Sequence, residues 1–174
     1  MGAEALRTAW IIGTSHDYQR TRSHCEESGP EAFRVAVTSI ATQRAVRAIA
    51  EEMSPEGLAL RGADDSVCRQ VAHVLGVAHR YCDPSSEERK ALGIGEEDDI
   101  RMRGFFSGRD PREIENDVRA SYALRESRWF DCVMELDTWP LLFVCGANHA
   151  EPFCRRLQTF GIEAGVLVES WAPH

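Results

Sequence analysis

Five short apolar segments of the chain alternate with segments of helical periodicity, and this alternation constrains the fold more than any other feature. The apolar segments lie at residues 9–12, 45–50, 77–81, 141–145 and 164–168. Between them, apolar residues recur at helical spacing, most clearly over residues 110–136. Strands that alternate with helices over short connections favour a parallel sheet with helices on both faces. We therefore predict an α/β fold: a single domain over residues 1–174 with an open, mostly parallel sheet of about five strands.

The composition argues against partners such as membranes and nucleic acids. Of the 174 residues, 43% are hydrophobic, and no apolar stretch approaches the roughly 18 residues that span a bilayer. The formal net charge is -8 and the basic residues are scattered, which disfavours phosphate contacts with nucleic acid. The N-terminus lacks the pattern of a signal peptide, and none of the 6 cysteines forms a C-x-x-C pair. We expect a cytoplasmic protein with reduced thiols.

Two histidines follow the ends of predicted strands. His16 closes a Gly-Thr-Ser-His turn after the first apolar segment, and His149 closes a Gly-Ala-Asn-His turn after the fourth. The carboxyl ends of parallel strands open onto one crevice, which is where ligands bind in such sheets. Two histidines at these ends converge more readily on a metal or a substrate than on nothing, although a turn histidine bonded to backbone is the simpler alternative for each.

Two adjacent acids, Glu51 and Glu52, follow the second predicted strand. Neighbouring side chains on a strand point to opposite faces of the sheet, so at most one of them enters the crevice. We favour Glu52 in the crevice and Glu51 in solvent. The alternative is that both carboxylates are solvated at the strand end.

Three further residues are candidates for catalysis, each with a structural alternative. His79 and Asp83 lie at the third strand and could supply a second base and the group that orients it. A satisfied core histidine and a turn aspartate before proline explain them equally well. Arg125 lies in the middle of the long helical segment, where it serves either as an anion clamp or as part of a solvated face. Cys145, paired with His149 or His16, is a minor alternative nucleophile.

Residues 93–109 are rich in glycine and acids and have few apolar residues apart from Phe105 and Phe106. This composition predicts a mobile loop, and a loop beside the crevice could act as a lid that excludes water from a substrate. The long helix that follows, 110–136, offers either a dimer face or an ordinary core face. Two possible partners of the chain are therefore a second copy of itself and a partner protein encoded in the same operon.

Several of these motifs together resemble the TraB/TIKI proteins. Ile-Gly-Thr-Ser-His at 12–16 looks like their Gly-Thr-x-His opening, and the Gly-x-x-His at 146–149 looks like their late motif. Residues 49–53 resemble their strand-two acidic motif, and Arg125 lies in the place of their arginine-containing helix. The wider group includes the haem-binding ChaN proteins and the erythromycin esterases. The stretch 79–89 lies outside the shared motif and is typical of a small bacterial subgroup.

The resemblance implies a metal-dependent hydrolase of an amide or ester bond, acting on a small molecule or a peptide. His16, Glu52 and His149 would bind Mn, Zn or Fe and leave one position open for water, whose pKa the metal lowers. His79, Asp83 and Arg125 are the candidate catalytic residues. The candidate substrate-binding residues are Gly13, Thr14, Tyr18, Gly146 and Asn148.

Two other classes of function remain as alternatives. The first is a binding module that holds haem or another small ligand without turnover, which requires an apolar pocket and an axial ligand such as His16, His149 or Tyr18. The second is a regulatory or interaction domain whose site is vestigial. A visible Soret band after haem addition would favour the binding module over a hydrolase. Retained stability and function after replacement of His16 and His149 by alanine would favour the regulatory domain.

Overall fold

The computed structural model describes residues 6–21 and 28–173. In chain order the strands are β1 (Thr8–Thr14), β2 (Arg20–Thr21), β3 (Ala48–Glu51), β4 (Asp65–Ser66), β5 (Ala78–Tyr81), β6 (Leu141–Gly146) and β7 (Glu163–Trp171). The helices are α1 (His16–Gln19), α2 (Ser28–Gln43), α3 (Pro55–Leu60), α4 (Val67–Leu75), α5 (Ser86–Leu92), α6 (Glu97–Phe106), α7 (Pro111–Leu136) and α8 (Ala147–Thr159).

The main sheet has five strands in the order β5-β3-β6-β1-β7, and every neighbouring pair is parallel. β2 and β4 form a separate antiparallel pair. The predicted α/β fold with a parallel sheet is confirmed, and the last strand is parallel like the others. Because β3, β6 and β1 are adjacent at the centre, their carboxyl ends lie side by side. The chain segments that follow these three strands are therefore brought together.

Successive side chains of each strand contribute to two different hydrophobic layers. Ile11 belongs to the layer formed with α7 and α8, whereas the next residue, Ile12, belongs to the layer formed with α2 and α4. On β3, Ala50 faces α7 and α8 and Ile49 faces α2 and α4. This alternation is the period of two that a strand imposes, and it decides the surroundings of any polar residue at the strand end.

The long helix α7 uses its apolar stripe as a core face. Asp110 caps its first turn, with the carboxylate accepting a hydrogen bond from the Arg112 amide, and Pro111 follows at the position where its missing N–H costs nothing. Trp129 and Val133 are fully buried against the sheet. The predicted bounds of this helix are confirmed to within one residue.

Residues 93–109, which we expected to form a loop, contain helix α6. Their apolar residues show no helical period because α6 is largely exposed, with Phe105 and Phe106 both in solvent. The segment is nevertheless attached to α7. Gly104 packs so closely on Ile114 that a Cβ there would lie 2.5 Å from its side chain, and the Ser121 hydroxyl donates to the Gly95 carbonyl. Closure of this segment over a substrate stays a prediction.

α1 and β2 together occupy residues 16–21, and residues 22–27 lie outside the described part of the chain. Among the helices of residues 6–21 and 28–173, none combines the length and the apolar character needed to cross a bilayer.

Candidate active site

A cavity of about 820 Å³ opens at the carboxyl ends of β1, β3 and β6. The sequence predicts that this edge of the sheet carries the site, and most of the predicted residues line the cavity. Those residues are His16, Glu52, Asp83, Arg125, Gly146, Asn148 and His149. The end of β5 contributes through Asp83, and the facing wall comes from α7 and from the start of α6.

Arg125 of α7 is held between the buried carboxylate of Glu52 and the partly buried carboxylate of Asp83. Its Nη2 lies 2.7 Å from Glu52 Oε1 and 2.8 Å from Asp83 Oδ1, and its Nε lies 3.1 Å from the same Asp83 oxygen. Trp129 Nε1 donates to that oxygen as well, at 3.3 Å. Asp83 also pairs with Arg89. Arg125 is therefore an organising cation of the site and not part of a solvated face.

The charges of this network stabilise one another. Burial alone would raise the pKa of Glu52. The positive charge of Arg125 and the contact with His16 lower this pKa by more than burial raises it, so it lies well below its usual range. Burial opposes the charged form of Arg125, whereas Glu52 and Asp83 raise the pKa of its guanidinium above the usual value. Glu52 is therefore an ionised carboxylate at any physiological pH, although only 1% of its side chain is exposed.

His16 lies at the mouth of the cavity, on the first turn of α1. Ser15 caps this turn by accepting a hydrogen bond from the Asp17 amide. His16 Nε2 is 3.5 Å from Glu52 Oε2, and 44% of the side chain is exposed. Burial tends to lower the pKa of His16, but the bond to Glu52 and its negative charge outweigh burial and raise it. The imidazole thus has one nitrogen directed to a carboxylate and one available to the cavity.

His149 lies on the first turn of α8, because the helix begins directly after β6 and not after the turn that we expected. Its Nδ1 is 2.8 Å from Glu126 Oε1, and both side chains are buried. The ring packs against Trp129 and Tyr122, with centroid distances of 4.9 and 4.3 Å. Because Glu126 occupies Nδ1, Nε2 is the nitrogen that a ligand can reach.

Gly146, at the end of β6, lies between the two histidines. Its amide donates to Glu52 Oε2 at 2.6 Å. A Cβ at this position would lie 3.2 Å from His16 Nε2, 3.3 Å from Glu52 Oε2 and 3.8 Å from His149 Cδ2. His16, Glu52 and His149 therefore converge, as the sequence predicts, and the absence of a side chain at position 146 makes room for them.

Glu126 is a site residue that sequence reasoning missed. The sequence assigns a possible role to its neighbour Arg125 but none to Glu126 itself. Glu126 lies four residues after Tyr122 and three before Trp129, so all three share one face of the helix. Because Tyr122 and Trp129 are aromatic, this spacing indicates that Glu126 lies on the buried face of α7.

His79 is not part of the cavity, contrary to the prediction, and Glu51 is buried instead of solvated. Both face α4: His79 Nε2 lies 2.8 Å from Glu51 Oε1, and the Ser66 hydroxyl donates to the same oxygen. The cause is strand alternation, because Glu51 follows Ile49 on the α2/α4 side. Glu52 follows Ala50 on the other side and enters the cavity, as predicted.

Three predicted substrate-binding residues stabilise the sheet and do not line the cavity. Gly13 allows close approach of β7, since a Cβ there would lie 1.9 Å from the Glu169 carbonyl oxygen. The Thr14 hydroxyl donates to the Trp171 carbonyl at 3.1 Å, and the Tyr18 ring packs edge-on against Trp171 at 5.4 Å. Their proximity to His16 in sequence does not place them in the cavity, because their contacts are with the neighbouring strand β7.

Cys145, considered as a nucleophile, is fully buried within β6. Burial raises the pKa of its thiol well above the usual value, so the thiolate that nucleophilic attack requires is disfavoured. The core position of Cys145 follows from its register opposite Gly13 in the middle of the sheet.

The sequence suggests two groups that this cavity could hold, a divalent metal and haem. Glu52 has its two oxygens engaged by Arg125 and the Gly146 amide, so in this arrangement it does not fit a cation shared with His16 and His149. Over residues 6–21 and 28–173 there is no cluster of three or more His, Cys, Asp or Glu side chains with metal-binding geometry. The cavity lining is mostly polar and charged, which does not fit the apolar walls that haem requires.

Comparison of the chain with protein-family models, with curated proteins and with solved structures gives no match. The site is therefore interpreted from its own geometry.

We expect Glu52 to make stability depend on pH in acid. Because its pKa is lower in the folded protein than the 4.5 of a free side chain, its contribution is present above about pH 4.5 and is lost as the pH falls below that value. Urea unfolding between about pH 6 and 3 should therefore show a shallower loss of stability for Glu52→Gln than for the parent. Glu135→Gln, a surface change, should follow the parent curve. Parallel curves for parent and Glu52→Gln would contradict this expectation.

Proposed function

We propose that the cavity hydrolyses an ester or amide bond of a small molecule or a peptide. The observation that carries the proposal is the presence of two histidine–carboxylate pairs, His16–Glu52 and His149–Glu126, on either side of Gly146. In each pair the carboxylate engages one ring nitrogen and leaves the other for proton transfer. Paired general bases and acids of this kind serve acyl hydrolysis.

His16 acts as the general base in this proposal. Its Nε2 faces the Glu52 carboxylate at 3.5 Å, so Nδ1 takes a proton from a water molecule at the cavity mouth. The water oxygen then attacks the substrate carbonyl. An imidazole with a raised pKa is a stronger base, and Glu52 stabilises the imidazolium that forms. Exposure of His16 gives water access to the base.

His149 acts as the general acid, giving the proton on Nε2 to the leaving oxygen or nitrogen while Glu126 orients the ring. The oxyanion forms near the first turn of α8, where Ala147 and Asn148 line the cavity. The first amides of a helix have no intrahelical acceptor and favour negative charge. No side chain caps α8, so these donors are available to substrate.

Arg125 is a positioning residue in this scheme. It keeps Glu52 ionised and fixes the orientation of the carboxylate that faces His16. Asp83 in turn fixes the guanidinium, and the Trp129 indole N–H donates to the same Asp83 oxygen. The resemblance to TraB/TIKI proteins implies an alternative form of the proposal that uses Mn, Zn or Fe, and no step above depends on a metal. A cytoplasmic location is also part of the proposal, and it is supported by the free cysteines Cys68, Cys82, Cys132, Cys145 and Cys154.

The test is hydrolysis of p-nitrophenyl acetate and of an N-acyl p-nitroanilide by purified protein, before and after treatment with a chelator. We expect hydrolysis by the metal-free protein, with kcat/KM rising with pH through a value above 6.5, because His16 must lose its proton to act as a base. Hydrolysis that is lost on chelation and restored by Mn, Zn or Fe would support the metal-dependent form of the proposal. Absence of hydrolysis of both probes, with and without added metal, would reject the proposal.

A further inference from the structure

A second cavity, of about 340 Å³, adjoins the candidate active site and contains two cysteines. Cys82 follows β5, and Cys132 lies on α7. The Cys132 thiol donates to the Cys82 carbonyl oxygen at 3.9 Å, and the Cys82 thiol donates to the Arg80 carbonyl oxygen at 3.9 Å, so the two cysteines are in contact. Asp83 lines both cavities, so the cysteine pair lies directly behind the Asp83–Arg125 ion pair.

The surroundings of the two sulfurs make them chemically different. A hydrogen bond from Cys82 lowers the pKa of Cys132, and the cations Arg128 and Arg80 act in the same direction against burial. Burial and the neighbouring Cys132 raise the pKa of Cys82 well above the usual value. Both arginines line the cavity. Cys132 thus has the features of an attacking thiolate, and Cys82 those of a resolving thiol.

We propose that Cys82 and Cys132 form a peroxide-sensitive pair that closes to a disulfide beside the active site. The Cys132 thiolate attacks one oxygen of a hydroperoxide, the O–O bond breaks, and the second oxygen leaves as hydroxide or alkoxide. The sulfur is oxidised to sulfenic acid. Cys82 then attacks that sulfur, its proton passes to the departing hydroxide, and water is released. Two thiols and one hydroperoxide give one disulfide, one water and one alcohol or second water.

Closure of this disulfide affects the site through position 83. The two sulfurs must approach to about 2.05 Å, which draws the end of β5 toward α7. Asp83 is the next residue after Cys82, and its Oδ1 holds both Arg125 and Trp129. Cys132 and Arg125 lie on the same helix. A change in the distance between the end of β5 and α7 therefore alters the contact between the Asp83 carboxylate and the Arg125 guanidinium.

The experiment exposes the native protein to hydrogen peroxide, blocks remaining thiols after denaturation, and maps the disulfides by mass spectrometry. Trypsin releases Cys82 in residues 81–89, and a glutamate-specific protease separates Cys132 from Cys145 by cleaving after Glu135. We expect a cross-linked product joining Cys82 to Cys132 that disappears on reduction.

Cys132→Ser should abolish the cross-link, whereas Cys68→Ser, on the opposite face of the sheet, should leave it unchanged. In a parallel measurement on the unmodified chain, brief alkylation at pH 7 should label Cys132 before Cys68 and Cys145, whose pKa values burial raises. This arm remains decisive if Cys132→Ser does not fold. Oxidation of Cys132 without a bridge to Cys82, a bridge to another cysteine in place of Cys82, or slower labelling of Cys132 than of Cys68 would each overturn the proposal.

Discussion

Arg125→Ala should destabilise the protein by about 3–5 kcal/mol, because it leaves the buried Glu52 carboxylate without its guanidinium partner and leaves Asp83 with Arg89 alone. Glu52 has 1% of its side chain exposed and Asp83 has 9%, so water cannot replace the guanidinium. Trp129 also loses the cation that lies 5.4 Å from its ring. The free energy of unfolding from urea titration at pH 7 measures the effect.

Two control measurements show whether the destabilisation is specific to Arg125 or is common to any arginine of α7. Arg119→Ala, on the exposed part of the same helix, should change the free energy of unfolding by no more than about 0.5 kcal/mol. Arg125→Ala should cost less when Glu52→Gln and Asp83→Asn are already present, because no uncompensated charge then remains. A loss below about 1 kcal/mol for Arg125→Ala in the parent would show that the carboxylates do not depend on it.

His16→Ala should reduce kcat/KM for p-nitrophenyl acetate by a factor of about 10²–10⁴, the usual contribution of a general base. The side chain is 44% exposed, so its removal should change stability little, and the loss should be in catalysis. Glu52→Gln should lower the rate as well, and should lower the apparent pKa of the pH–rate profile, because burial and Arg125 then oppose the charged form of His16 without the main group that raises its pKa.

The matched control is His73→Ala. His73 lies on α4, is exposed, and belongs to the opposite side of the sheet from the cavity. Its rate should equal that of the parent, and circular dichroism should show the same fold for all variants. Equal rates for His16→Ala and the parent would show that hydrolysis, if present, uses a different base.

The convergence of the site was predictable because it depends on topology alone. A parallel sheet places the segments after β1, β3 and β6 at one edge, and His16, Glu52 and His149 follow those strands. The period of a strand predicted that at most one of Glu51 and Glu52 enters the cavity, and the packing of the two faces of the sheet decided that it is Glu52. The helical α6 was missed because an exposed helix leaves no apolar stripe to recognise.

The partners of these residues were decided only by tertiary packing. Glu126 and His149 are 23 positions apart in the chain, and Glu51 and His79 are 28 positions apart. Arg125 is 73 positions from Glu52 and 42 from Asp83. Nothing in the sequence indicates that these residues are partners. Strand period and turn chemistry are local properties, and they determine which side of the sheet a residue faces. The packing of α7 and α4 on the sheet determines which charged partner the residue contacts. Burial makes that contact important for stability, because a buried charge without a partner is costly.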